Sequence, residues 1–226
     1  MTLPFVGGSS AATSAGRTTL FGYIFGTSDC TGATATKQYY SYNSFTTYYI
    51  PTSLTSITIT GGKILYGAFY NCNNLTNITI ESGVTSIDDN AFRGCSSLTG
   101  ITIPDSVTSI GSYAFYYCEK LTGIKIPNNV SSVGGSAFSH CSSLTELVLP
   151  NGVQTIYQGA LAACSNLKKL TIPFVGTKYD TDSSNTYFGS LFNDYHEQCP
   201  EGNDEDGIPK VNKKVPNSLT TVTVTG

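Results

Sequence analysis

The chain has 226 residues, of which 12% are charged, and its formal net charge is −3. Globular chains ordinarily carry about a quarter of charged residues, so this surface must be neutral, and the abundance of Thr, Ser, Asn, Gly and Tyr makes it hydroxyl-rich. Lys and Arg cluster no further than the pairs Lys168-Lys169 and Lys213-Lys214, which excludes nucleic acid as an expected partner, and no apolar run approaches the roughly 20 residues of a membrane-spanning helix.

Residues 1–53 read as one overlong unit that begins inside a strand, TLPFVG from Thr2 to Gly7. The apolar spacing around Phe21 to Phe25 predicts a short amphipathic helix. Tyr39, Tyr40, Tyr42, Tyr48 and Tyr49 then crowd, with Phe45, into 11 residues. Tyrosine offers a large contact area at low entropy cost with a hydroxyl to bond, which suits a patch for protein or glycan. Packing of these rings onto the rest of the chain is the equal alternative.

Residues 54–166 hold five regular units. A 23-residue pattern starts at Leu75, Leu98, Leu121 and Leu144, after a 21-residue copy from Leu54 to Asn74. In the unit beginning at Leu98 the apolar positions are Leu98, Ile101, Ile103, Val107, Ile110, Ala114, Phe115 and Cys118. The L x x I x I spacing predicts a short strand, and Pro104, lacking an amide hydrogen, ends its pairing. Val107 and Ile110 point to a second extended stretch, and the SYAFYYC segment to an irregular or 3-10 turn leading back to the next strand. One such coil cannot bury its own apolar faces, so consecutive coils must stack, with their strands in one parallel sheet.

The motif L x x I x I P, followed by V x x I and A F x x C, resembles the BspA-like, or Treponema-type, leucine-rich repeats of bacterial surface proteins. The resemblance covers Leu54 to about Pro173. It implies a leucine-rich-repeat solenoid, α/β to mainly β. That fold is a right-handed coil with one parallel β-sheet on the concave side and short irregular or 3-10 turns on the other. It further implies an extracellular or cell-surface location and adhesion to a host matrix protein, a cell-surface protein or a glycan.

Five of the seven cysteines, Cys72, Cys95, Cys118, Cys141 and Cys164, recur at one repeat position. They are expected to form a buried structural column, with side chains running parallel rather than toward one another and so badly placed for disulfides. On the strands, the second, third and fifth residues of each unit face outward. They are mostly threonine, and the exceptions Lys125, Glu146, Lys168 and Lys169 make the C-terminal half of the sheet the expected contact surface. Solubility is the other reading of those charges.

Residues 167–226 repeat the design of the N-terminal unit. TIPFVG at Thr171 to Gly176, YFGSLFN at Tyr187 to Asn193 and KVPNSLTTVTVT at Lys214 to Thr225 echo TLPFVG, LFGYIFG and YIPTSLTSITIT in the same order. A second helix is therefore expected around Phe188 to Phe192, followed by an acidic excursion and a closing strand. The three parts form one continuous solenoid domain with two insert-bearing end repeats, cut from a longer array. Open end coils expose strand edges and apolar faces, so self-association is expected.

Catalytic equipment is missing from the pattern. His140 precedes Cys141, but sequence neighbours on an extended turn point apart, which disfavours a Cys-His nucleophile. His196 lies in a polar excursion, and Glu201, Asp204, Glu205 and Asp206 lack the alternating ligands and glycine of a calcium loop. Neither a P-loop, a G x S x G elbow nor a C x x C pair occurs. A non-catalytic binding module with no metal and no cofactor is the expectation, with a structural spacer as the alternative.

Overall fold

A computed structural model describes residues 1–7, 11–174, 188–192 and 215–225. Its backbone is a stack of coils. The front of each coil is a strand: β1 (Thr2–Leu3), β4 (Ser56–Ile64), β5 (Asn77–Ile87), β6 (Gly100–Thr102), β9 (Glu146–Val148), β11 (Lys169–Ile172) and β12 (Thr221–Val224). Every neighbouring pair is parallel, with Ser56 opposite Asn77, Asn77 opposite Gly100, Glu146 opposite Lys169 and Lys169 opposite Thr221. The gap between β6 and β9 is bridged by Lys125, which pairs with Thr102 on one side and Val148 on the other. Repeat position and sheet register therefore coincide, as the 23-residue spacing requires.

A second parallel ladder crosses the coil. It joins the later part of β5 to β7 (Ser109–Ile110), β8 (Ser132–Val133) and β10 (Thr155–Ile156), with Ile87, Ile110 and Val133 in register and Ile156 following. Proline decides whether the two ladders share a strand. In the coils that lack it, through Thr60–Lys63 and Glu81–Val84, β4 and β5 run unbroken for 9 and 11 residues. Where Pro104 and Pro150 stand, the front strand stops after three residues and the second must start afresh.

The side opposite the front strands is built from tight turns, and no α-helix occurs among the described residues. Successive turns are tied by amide donation from Phe69 to Ala91 O, Phe92 to Ala114 O, Phe115 to Ala137 O and Phe138 to Ala160 O, at 2.7 to 2.8 Å. Two residues per turn adopt left-handed backbone: Gly67, Asn90, Tyr113, Ser136 and Gly159 in one column, and Asn71, Gly94, Tyr117, His140 and Ala163 in the other, with φ from 53° to 74°. Between these columns, Phe21, Phe69, Phe92, Phe115 and Phe138 form a file of buried rings at 5.0 to 5.4 Å. One apolar cluster extends from Leu3 to Phe192.

The segments expected to be helical at both ends are single 3-10 turns, Phe21–Ile24 and Phe188–Phe192, and each adds one layer to the turn side. Phe21 N donates to Ala68 O, while Gly159 N and Leu161 N donate to Ser190 O and Leu191 O. The N-terminal excursion is an antiparallel hairpin of β2 (Ala33–Ser41) and β3 (Ser44–Pro51), which the repeat pattern does not foretell. Its Gln38 is fully buried. The amide donates to Ala68 O, Tyr70 O and Cys72 Sγ and accepts from Gly22 N, so it engages Tyr70 O, whose equivalents Arg93 O and Tyr116 O receive an amide of the preceding coil.

Candidate binding surfaces

Threonine at the second strand position is explained by the backbone of the stack. Thr76, Thr99 and Thr122 each donate a hydroxyl hydrogen to the carbonyl of the equivalent residue one coil earlier, at 3.1, 3.0 and 3.3 Å, and Thr220 does the same to Lys168 O at 3.2 Å. The same carbonyls receive the amides of these residues. These four threonines clamp one coil to the next, and their hydroxyls are already engaged.

Lys125, Glu146, Lys168 and Lys169 all lie exposed on the front face. Glu146 and Lys169 sit opposite each other in register, yet among the described residues neither they nor Lys125 and Lys168 form an ion pair. Adjacent strands lie about 4.8 Å apart, so water screens this pair and leaves both groups open to a partner. Gly123 has open space where a side chain would stand, which lowers the surface beside Glu146. Val148, 45% exposed between Lys125 and Thr171, borders an open cleft of about 570 Å³ whose other walls include Asn128, Asn151 and Gly152. Charge, an apolar knob and carboxamides thus meet at the C-terminal half of the sheet.

The tyrosines of the hairpin divide by role. Tyr48 is buried, and its hydroxyl donates to Arg17 O at 2.7 Å, so it fastens the hairpin and is closed to a partner. Burial also pushes its phenol above the usual range. Tyr40 and Tyr49 are half-buried, whereas Tyr42 stands 89% exposed at the tip. Tyr39 lies between Phe45 and Tyr70, with ring centroids 5.4 and 4.8 Å away. Tyr70 and Arg93 were not singled out by sequence. Their signal was one repeat position filled in succession by Tyr70, Arg93 and Tyr116, three planar groups on adjacent coils.

The cysteine column is buried throughout, and Cys95, Cys118, Cys141 and Cys164 each donate to a phenylalanine carbonyl of the preceding coil at 3.1 to 3.3 Å. Loss of water pushes the thiols of Cys95 and Cys164 up to about 12 and those of Cys72, Cys118 and Cys141 well above their ordinary value. Cys141 therefore faces away from His140, whose ring stacks on Tyr117 at 4.3 Å. Cys30 is an exposed free thiol. Cys199, His196 and the acidic stretch Glu201, Asp204, Glu205 and Asp206 lie outside the described residues.

Comparison with known proteins agrees with this architecture. Residues 62–185 match the BspA type leucine rich repeat region in six copies. Among solved structures, the T. pallidum leucine rich repeat protein is 32% identical with a TM-score of 0.53, over 55% of this chain and 61% of that one. A leucine-rich repeat protein from Bacteroides ovatus is 28% identical (TM-score 0.44, 64% of this chain and 39% of that one). A leucine rich cell surface protein from Faecalibacterium prausnitzii is 22% identical (TM-score 0.46, 78% and 53%). The chain thus spans less than two thirds of the length of each, and no curated protein matches it. A family match over more than half the residues, on coils whose register follows the same repeat, makes this chain a member of the BspA type leucine-rich-repeat family.

Proposed function

We propose that the chain is a non-catalytic binding module of a secreted or cell-surface bacterial protein, holding a host or microbial protein or glycan against the front face of its coils. The observation that carries this reading is the contrast within that face. Threonines of the second strand position are engaged by the stack, while Lys125, Glu146, Lys168 and Lys169 project without an ion pair among the described residues, on the face that holds Val148 and the adjoining cleft. A rigid parallel sheet keeps such groups in fixed order, so little ordering entropy is lost on binding. The low charge and hydroxyl-rich composition support a place outside the cell or on its surface. We further read residues 1–53, 54–166 and 167–226 as parts of one continuous solenoid, since one apolar cluster runs from Leu3 to Phe192 and β12 pairs with β11 in register.

The test is capture from panels of extracellular-matrix proteins and glycans by the wild-type chain and by a triple variant Lys125→Glu, Lys168→Glu, Lys169→Glu. Capture that the triple variant loses supports the reading. A wild-type chain that captures nothing above background identifies a spacer array, and capture unchanged in the variant moves the contact off this face.

A further inference from the structure

The turn side holds a second candidate surface, where the hairpin meets the first two regular coils. Lys37 of β2 places its Nζ over the Phe45 ring at 3.7 Å and near the Tyr39 ring at 5.2 Å. One coil along, the Arg93 guanidinium lies 5.5 Å from the Tyr70 ring and 4.7 Å from that of Tyr116. Tyr70 stands between the two cations: its ring packs on Tyr39 at 4.8 Å, and both charges act to lower its phenol pKa against the larger effect of burial. Among the described residues neither cation meets a carboxylate. Arg93 spends one arm, Nη1, on Asn90 Oδ1 at 3.2 Å and gives a second hydrogen bond to the Tyr70 hydroxyl. The carboxylates of the neighbouring turn are engaged elsewhere, Asp88 with Ser86 Oγ and Asp89 with Ser112 N.

We infer that Lys37, Tyr39, Tyr70 and Arg93 form a subsite for a carboxylate-bearing saccharide of the uronic-acid class. The chain as a whole carries −3, so nothing gathers anions here except these two cations, fixed over rings. Cation–ring contact restrains both side chains before a ligand arrives, and the remaining arms of a guanidinium fork fit the two oxygens of a carboxylate. The floor between the charges is made of half-exposed aromatic rings. A rigid sugar acid offers both matching parts at once, a flat C–H face for the rings and a carboxylate at its edge. An acidic peptide would have to order several bonds to present the same pair. The subsite lies among the turns rather than on the strands, so it stands or falls independently of the front face.

The test is calorimetric titration of the full chain with an oligogalacturonide of defined length, against the same oligomer fully methyl-esterified. The acid form is expected to bind at least about tenfold more tightly, the gain falling as salt screens the pair. Arg93→Gln and Lys37→Gln should each remove most of that gain, Arg93→Lys should leave a part of it, and Lys120→Gln, on an exposed lysine outside both surfaces, should leave it intact. Unchanged melting temperatures for these surface variants certify that they fold. Equal binding of acid and ester, equal binding by Arg93→Gln, or tighter binding of an oligoglutamate than of the oligogalacturonide would each overturn the assignment.

Discussion

The strand face and the turn face of this solenoid solve the same stacking problem by opposite means. On the strand face the backbone is extended throughout, and one residue type, threonine, recurs because its hydroxyl reaches the carbonyl of the preceding coil. On the turn face, left-handed backbone is demanded twice per coil, and Gly, Asn, Ser, Tyr, His and Ala all fill those positions. Uniformity on one face and scatter on the other therefore carry different meanings. A repeated threonine marks a structural bond, whereas a varied turn position marks a backbone requirement that many side chains can meet.

The comparison is broken most severely by removing what both faces enclose. Phe115 is fully buried and stacked between Phe92 and Phe138. Phe115→Ala should cost about 3–5 kcal/mol in a denaturant melt, as for a large ring deleted from a packed interior. Cys30→Ser, on an exposed thiol, should stay within about 0.5 kcal/mol. The reverse ranking would mean that inside and outside have been exchanged.

Next in size is the cap on the turn side. Gln38→Ala leaves Gly22 N and Tyr70 O without the partner the amide supplied in a buried place. A loss of about 1–3 kcal/mol is expected, with faster hydrogen exchange in the β2–β3 hairpin than in the coils beyond Leu98. Uniform loosening of the whole stack would show instead that the hairpin and coils unfold as one unit.

The cysteine column supplies a pH test of the same interior. Its five thiols have folded pKa values above their ordinary value of 9.0. For such groups the unfolded chain loses its protons first, so stability is complete below the unfolded value and falls as pH rises from about 9 toward the folded values. Urea midpoints should therefore drop between pH 9 and pH 12, and the drop should shrink in a variant with Cys95→Ala and Cys118→Ala. At neutral pH a thiol reagent should reach Cys30 while sparing the column.

Much of this was legible in the residues. Strand register, the buried cysteines and the break at Pro104 follow from a period that places the same residue at the same depth in every coil. The length of strands β4 and β5 has its signal there too, since their coils carry Thr60 and Glu81 where later ones carry proline. The hairpin was not, because one copy of an insertion has no period to betray its shape. Nor was the Lys37–Tyr70–Arg93 group, which brings an excursion against two coils. At the column of Asn71, Gly94, Tyr117, His140 and Ala163, Gly and Asn are the sign of left-handed backbone, a sign that the other three residue types hide.

That last point yields the smallest and most specific prediction. Ala163 holds φ at 54° on an exposed site, so its methyl group is strained by the backbone and packs against little. L-residues in that region cost roughly 1–2 kcal/mol, against which glycine loses about 0.5–1 kcal/mol more entropy on folding. Ala163→Gly should therefore stabilise the chain by up to about 1 kcal/mol. At the matching turn of the first regular coil, Gly67 has φ 64° and faces Tyr39 O of the hairpin where a Cβ would stand. Gly67→Ala should accordingly destabilise, through strain and through collision with the cap. If Ala163→Gly lowered the melting temperature instead, the turn face would be held by its side chains, and the contrast with the strand face would lose its basis.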